Sequence, residues 1–114
     1  AAEASNGDAT RLGSVLDYIE LHYDQELRLN ALAQIMGTSP TYFSRLFKSE
    51  VGLPLFEYIN RTRIRKACIL LRNDQLPVTR IALDVGYNSV SFFNRYFRRV
   101  MGVSPREYRR FLNT

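Results

Sequence analysis

Two segments of the chain, residues 29–58 and 78–108, repeat one pattern of residue types, and this repeat limits what the chain can fold into. Ahead of a shared glycine the copies are offset by 49 positions, which aligns Gly37 with Gly86. Beyond it the offset is 50, and the aligned pairs are Ser39 with Ser89, Phe43 with Phe93, Arg45 with Arg95, Phe47 with Phe97, and Gly52 with Gly102. The second copy therefore has one extra residue in its turn. A solenoid needs about three or more repeats, so two copies indicate two small modules held at a fixed distance.

The composition restricts the class of protein. With 114 residues the chain is near the usual size of one domain. No run reaches the roughly 18 apolar residues that span a bilayer, so no membrane partner is expected. Sixteen Lys and Arg against eleven Asp and Glu give a formal charge of +5, which favours a nucleic acid or another anionic surface as partner. Cys68 and His22 are the only residues of their kinds, which excludes an internal disulfide and a Cys/His zinc site. We expect no metal and no cofactor.

The first half of the chain has the spacing of helices. Residues 1–9 are mostly small and polar and are predicted to be a flexible linker or a remnant of another sequence. Apolar residues at three- and four-residue steps predict a first helix from about Thr10 to Tyr23, with Asp8 or Thr10 as its cap. A short second helix ends at Gly37, and Ser39-Pro40 is a specific start signal for a third helix that ends at Gly52.

The second half continues in the same way. From Leu55 to about Arg72 no Gly or Pro interrupts the pattern, which indicates one long helix. A fifth helix is predicted from Pro77 to Gly86, a sixth from Ser89 to Val100 or Met101, and a seventh from Ser104-Pro105 to about Leu112. No segment alternates with period two, so the chain is predicted to be all-α. The expected organisation is two helix-turn-helix subdomains, at about 10–53 and about 76–113, joined by a long central helix at about 54–73.

The third and sixth helices carry matching polar stripes. Thr41, Ser44, Arg45 and Lys48 fall on one helical face, opposite the apolar Phe43 and Phe47. The corresponding face of the sixth helix consists of Ser91, Asn94, Arg95 and Arg98. A helix that lies in the DNA major groove needs an apolar inner face and a polar, basic outer face. One such stripe alone is more often an ordinary solvated face, but its repetition at the same place in both copies favours a reading helix.

The residue types in the stripes suit the recognition of base edges. Arg can pair with O6 and N7 of guanine, Asn with N6 and N7 of adenine, and Ser or Thr with several edges. Val90, at the start of the sixth helix, can contact a thymine methyl group. A smaller set of polar and basic residues is predicted to contact phosphate. This set consists of Ser39, Lys48, Ser89, Arg98, Arg99 and Arg61.

The predicted length of the central helix leads to a binding mode. A helix of about 18–20 residues spans about 27–30 Å, close to the roughly 34–36 Å between successive major-groove faces of B-DNA. The sequence therefore predicts that one monomer can place its reading helices in two adjacent major-groove segments, with DNA bending to close a shortfall.

The residues of the second copy resemble a known family. The stretch from Ile81 to Arg109, IALDVGYNSVSFFNRYFRRVMGVSPREYR, closely resembles the C-terminal signature of AraC/XylS-type transcription regulators. The resemblance runs from about Val15 to Arg109. It implies a bacterial, cytoplasmic domain that binds double-stranded promoter DNA on the nucleoid and contacts RNA polymerase. It also implies a separate effector-sensing domain in the full-length protein.

Alignment to that family places base contacts on specific residues. In the first copy they are Thr41, Ser44 and Arg45, and in the second copy they are Val90, Ser91, Asn94 and Arg95. Thr41 and Ser44 are small where larger side chains often read bases in the family, so we expect the first copy to discriminate few base pairs directly. Arg28 is also a weak cap for the second helix.

Two other functions compete with DNA binding as explanations of the sequence. In the first, the chain is a helical adaptor that uses the basic stripes to dock a protein partner. In the second it is an enzyme, but the sequence contains no nucleophile–base pair, metal cluster or glycine-rich phosphate loop. We therefore expect a DNA-binding domain that is not an enzyme, with the adaptor as the alternative.

Overall fold

The computed structural model describes residues 6–113, and within that range the chain consists of helices, turns and loops without a β-strand. The helices are α1 (Asn6–His22), α2 (Leu29–Met36), α3 (Pro40–Val51), α4 (Leu55–Leu70), α5 (Val78–Asp84), α6 (Val90–Met101) and α7 (Pro105–Leu112). The predicted all-α class is confirmed. None of these helices is long and apolar enough to cross a membrane.

The start of α1 differs from the prediction. The helix begins at Asn6, so Asp8 and Thr10 lie inside its first turns and neither caps it, and residues 6–9 are helical where a linker was expected. Residues 1–5 of the predicted linker lie outside the described residues. The Asp8 carboxylate accepts a hydrogen bond of 2.8 Å from the Tyr42 hydroxyl of α3. This bond fixes the first turn of α1 to α3 and raises the pKa of Tyr42.

The chain divides into two compact units between Ile59 and Asn60, inside α4. We call the residues up to Ile59 the N-lobe and those from Asn60 the C-lobe. The N-lobe is closed by a core of apolar side chains from α1, α2, α3 and the first turns of α4. Its buried members are Leu12, Val15, Ile19, Leu32, Ala33, Met36, Phe43, Leu46, Phe47 and Ile59.

The C-lobe has its own buried residues, on its helices and in the turns beside them, and most of them match core positions of the N-lobe. They are Ile64, Ala67, Leu71, Ile81, Ala82, Val85, Tyr87, Phe93, Tyr96 and Phe97. Ile64 and Ala67 of α4 and Leu71, the residue directly after it, are buried and follow one another at steps of three and four residues. The buried Leu12, Val15 and Ile19 of α1 have the same spacing. The second half of α4 therefore supplies to the C-lobe the apolar stripe that α1 supplies to the N-lobe.

Both helix-turn-helix turns use one backbone arrangement. In the N-lobe, Gly37 has a φ of 71° and the amide of Thr38 donates to the carbonyl of Ala33 at 3.1 Å. In the C-lobe, Gly86 has a φ of 110° and the amide of Tyr87 donates to the carbonyl of Ala82 at 2.9 Å. Such positive φ values favour glycine because it lacks a Cβ atom. Since Thr38 and Tyr87 are equivalent, the extra residue of the second copy is Asn88.

Helix α4 ends two residues earlier than predicted, at Leu70. The amides of Arg72 and Asn73 bond to carbonyls three residues back, which tightens the chain into a turn. The guanidinium of Arg109, on α7, donates to the carbonyls of Leu71, Asn73 and Leu76 at 3.1, 3.1 and 2.6 Å. Arg109 therefore joins α7 to the turn that follows α4 by satisfying three of its carbonyls.

Candidate nucleic-acid interface

Helix α3 presents its polar stripe to solvent, as the sequence predicts. Its N-cap is Ser39, whose Oγ accepts a hydrogen bond of 3.2 Å from the amide of Tyr42, and Pro40 is its first residue. Phe43 and Phe47 are fully buried, with ring centroids 5.8 Å apart. On the opposite side the exposed residues are Thr41, Ser44, Arg45 and Lys48.

Helix α6 repeats this construction. The Oγ of Ser89 accepts a hydrogen bond of 3.1 Å from the amide of Phe92. Phe93 and Phe97 are buried, again with centroids 5.8 Å apart. The exposed face consists of Ser91, Asn94, Arg95, Arg98 and Arg99, while Val90 is half-buried at the start of the helix. Each lobe thus has one capped helix with a buried aromatic face and an exposed polar face.

Each of these helices borders a groove in its own lobe. The N-lobe groove is lined by Leu29, Pro40, Thr41, Ser44 and Arg45. The C-lobe groove is lined by Val78, Thr79, Val90, Asn94, Arg95, Arg98, Ser104, Pro105 and Arg106. Several of these residues are equivalent in the repeat, including Leu29 with Val78, Ser44 with Asn94, and Arg45 with Arg95. Most of the predicted base-contacting residues therefore lie along two equivalent grooves.

The residues predicted to contact phosphate have different surroundings. Arg98 lies 3.7 Å from the Glu107 carboxylate, an exposed pair that solvent screens. The guanidinium of Arg99 lies 5.5 Å from the ring centroid of Tyr96. Lys48 is exposed on α3, whereas Arg61 is exposed on α4 and belongs to neither α3 nor α6. The hydroxyl oxygens of Ser39 and Ser89 accept the hydrogen bonds that cap α3 and α6.

Arg106 is a candidate that the sequence analysis missed. It follows the α7 start signal Ser104-Pro105 and is exposed on the rim of the C-lobe groove that Arg95 and Arg98 also line. Its equivalent in the first copy is Phe56, so the repeat gave no reason to select it. The available signal was its place directly after a helix start, where a side chain can reach the neighbouring helix.

Tyr87, which positions the turn before α6, is a second residue that the sequence analysis did not single out. Its hydroxyl donates a hydrogen bond of 2.7 Å to Oδ1 of Asn60, and both side chains are buried, at 4% and 2% exposure. The centroid of the Tyr87 ring lies 5.4 Å from that of Phe93. The guanidinium of Arg63 lies over the Tyr87 ring, 5.5 Å from its centroid. Burial raises the pKa of Tyr87, which keeps the phenol protonated. The turn before α6 is therefore fixed to α4.

Comparisons with known proteins agree with this arrangement. The family described as a helix-turn-helix domain matches residues 32–110. The chain is 35% identical to the regulatory protein SoxS of Salmonella typhimurium over 96 residues, which cover 84% of this chain and 90% of SoxS. Two other curated regulators that match are much longer than this chain: the match covers 34% of the length of one and 13% of the length of the other.

Solved structures share the fold. The C-terminal domain of AraT, a response regulator from Geobacillus stearothermophilus, is 34% identical with a TM-score of 0.84, covering 96% of this chain and 88% of that domain. The DNA-binding domain of AdpA, a global transcriptional factor solved in complex with a target DNA, is 27% identical with a TM-score of 0.82. That match covers 87% of this chain and 89% of the AdpA chain.

Proposed function

The chain belongs to the AraC/XylS type of helix-turn-helix domain, and from this membership we propose that it binds double-stranded DNA as the DNA-binding domain of a transcription regulator. The observation that carries the proposal is the duplicated reading helix, capped by serine and exposing a polar and basic stripe in each lobe. AdpA, a structural relative, has been solved with its target DNA. The relatives are regulators, which favours DNA binding over the adaptor alternative.

The exposed side chains divide by chemistry into two roles. Thr41, Ser44 and Arg45 of α3, and Val90, Ser91, Asn94 and Arg95 of α6, are proposed to contact base edges. Their donors and apolar groups match the patterns that base pairs present in the major groove. Lys48, Arg98, Arg99 and Arg61 are proposed to hold phosphates, together with Ser39 and Ser89. Phosphate contacts position a protein on the duplex, and base contacts select the sequence.

We propose that the two reading helices occupy adjacent major-groove segments of one duplex. A single monomer carries two such helices on a continuous chain, and α4, of 16 residues, connects the lobes. Single helix-turn-helix proteins bind two half-sites as symmetric dimers. A protein with both reading helices in one chain requires no such symmetry, so its site is expected to consist of two unlike boxes.

The partners beyond DNA follow from the family. We propose that RNA polymerase is contacted from the DNA-bound state and that a separate sensing domain belongs to the full-length protein. The second inference is supported by the curated relatives of which this chain spans 34% and 13%, and by AraT, whose matching part is the C-terminal domain of a response regulator. The place of action proposed is the bacterial cytoplasm, on the chromosome.

A salt titration tests the proposal against the adaptor alternative. Binding to a random duplex should weaken steeply between about 50 and about 200 mM salt, because each phosphate contact releases counterions and contributes about −0.9 to the slope of log K against log salt. An acidic, non-nucleic polymer of the same charge density serves as the control for simple attraction. Absence of duplex binding at low salt would contradict the proposed function.

A further inference from the structure

The two lobes have opposite formal charges although they share one fold. Residues up to Ile59 contain four Arg and Lys against eight Asp and Glu, a formal charge of −4. Residues from Asn60 contain twelve Arg and Lys against three Asp and Glu, a formal charge of +9. These values add to the +5 of the whole chain. The basic character of the protein therefore belongs to the C-lobe alone.

The same contrast holds at equivalent positions next to the reading helices. Helix α3 carries two basic residues and the acidic Glu50, whereas α6 carries three basic residues and has Val100 in place of the acid. Arg99 of α6 corresponds to Ser49 of α3. Arg106, on the rim of the C-lobe groove, corresponds to the exposed Phe56. Two positions that are cationic beside the C-lobe reading helix are therefore neutral in the N-lobe.

From this contrast we propose that the C-lobe anchors the protein on DNA and that the N-lobe engages only a duplex that the C-lobe already holds. The inference rests on the proposed DNA-binding function. Phosphate neutralisation supplies essentially all of non-specific affinity, and the summed charge of a surface steers its approach to a polyanion. A lobe of formal charge −4 is repelled by the duplex at a distance, so its reading helix gains only short-range contacts made after docking.

The residues that make the anchor lie on both sides of the C-lobe groove. Arg98 and Arg99 come from α6, and Arg106 comes from the start of α7. Arg106 is the third cation of this anchor and contacts phosphate. The exposed Arg98–Glu107 pair, at 3.7 Å, does not remove Arg98 from this set, because solvent-exposed ion pairs exchange readily for a phosphate.

The first experiment compares two equivalent cations on a random duplex. Arg98→Ala should reduce the steepness of the log–log salt slope by about 0.9, the value of one phosphate contact. Lys48→Ala, its matched variant in the N-lobe, should reduce the steepness by less than half of that amount, since the acidic N-lobe contacts phosphate only in the complexes in which the C-lobe has already docked. The triple variant Arg98→Ala, Arg99→Ala, Arg106→Ala should reduce the steepness by about 2.7. Equal effects of Lys48→Ala and Arg98→Ala would overturn the proposal.

The second experiment moves the charge to the other lobe. The double variant Ser49→Arg, Phe56→Arg gives the N-lobe the two cations that the C-lobe has at these positions. It should steepen the slope by up to about 1.8, and the neutral double variant Ser49→Gln, Phe56→Gln should not. Far-UV circular dichroism of each variant checks that the helices are intact. A slope that stays at the wild-type value in the arginine variant would show that charge does not keep the N-lobe from DNA. If the wild-type protein binds no duplex at all, the proposed function fails rather than the division between the lobes.

Discussion

The N-lobe and the C-lobe use the same aromatic contacts inside and different charges outside. In the N-lobe the rings of Phe47 and Tyr58 meet edge to face at 5.5 Å, and in the C-lobe those of Phe97 and Tyr108 do so at 5.8 Å. The formal charges, −4 and +9, differ by 13. Packing of the interior restricts what a lobe can change while it keeps its fold. The surface is free of that restriction, so two copies of one fold can take different parts in one binding event.

The largest expected effect tests whether the interiors are equivalent. Phe47→Ala and Phe97→Ala each remove a fully buried ring from the centre of a lobe. Each should lower the free energy of unfolding by about 3–5 kcal/mol, the usual cost of such a truncation. Urea unfolding followed by far-UV circular dichroism measures both. A loss below about 1 kcal/mol in either variant would show that the two cores are not equivalent.

The next effect separates the two reading helices. Arg95→Ala should weaken binding to the cognate site by about 1–3 kcal/mol and leave random-duplex binding nearly unchanged, because it removes a contact to a base edge. The loss of affinity caused by Arg45→Ala should lie at the lower end of that range. The small side chains of Thr41 and Ser44 beside it are expected to discriminate few base pairs directly. Titrations of labelled cognate and random duplexes give both numbers. An equal loss on the two duplexes would mean that Arg95 contacts phosphate instead of a base.

A smaller effect concerns the two turns. Tyr87→Phe removes the buried hydrogen bond to Asn60 and should lower the free energy of unfolding by about 0.5–1.5 kcal/mol, the usual net value of one such bond. Its equivalent, Thr38, has a buried Oγ1 without a hydrogen-bond partner among the described residues. Thr38→Val should therefore be neutral or stabilising. Thermal unfolding of the two variants and of the wild-type protein measures both changes in stability. A destabilised Thr38→Val variant would contradict the expected difference between the turns.

The smallest effect is a pH dependence at the α7 capping box of the C-lobe. Hydrogen bonds from Ser104, in the capping box of α7, lower the pKa of Glu107 below its ordinary 4.5. The stabilisation is therefore present above pH 4.5 and is lost as the pH falls through the lowered value. The Tm advantage of the wild-type protein over Glu107→Gln should shrink below pH 4.5. Ser104→Ala supplies the control, because it removes the hydroxyl of the capping box, and in that background Glu107→Gln should show no such dependence on pH. A Tm advantage that is independent of pH would contradict this reading.

Local signals in the sequence predicted most of the fold. Ser39, Ser89 and Ser104 mark the starts of three helices, because capping is an interaction between residues three positions apart. The periodic burial of Phe43 and Phe47 likewise indicated which face of α3 points outward. These signals depend on neighbours along the chain, and the structure agrees with them to within a few residues at each helix end.

The interactions that were not predicted are those between distant residues. The Tyr42–Asp8 bond joins side chains 34 positions apart, and the Tyr87–Asn60 bond joins side chains 27 apart. The first holds α1 against α3 at a point where a linker was expected. Arg109 was part of a recognisable motif, but the carbonyls to which it donates lie in the turn after α4, 33 to 38 positions away along the chain. No periodicity encodes such pairings.

Selection of bound sequences from a pool of random duplexes tests the central claim most directly, namely that two unlike reading helices of one chain contact one duplex. The account predicts two short boxes about one helical turn, or 10–10.5 base pairs, apart, which are not palindromic. Repeating the selection with Arg95→Ala should relax one box and leave the other. A single box, a palindrome or no enrichment would contradict the account.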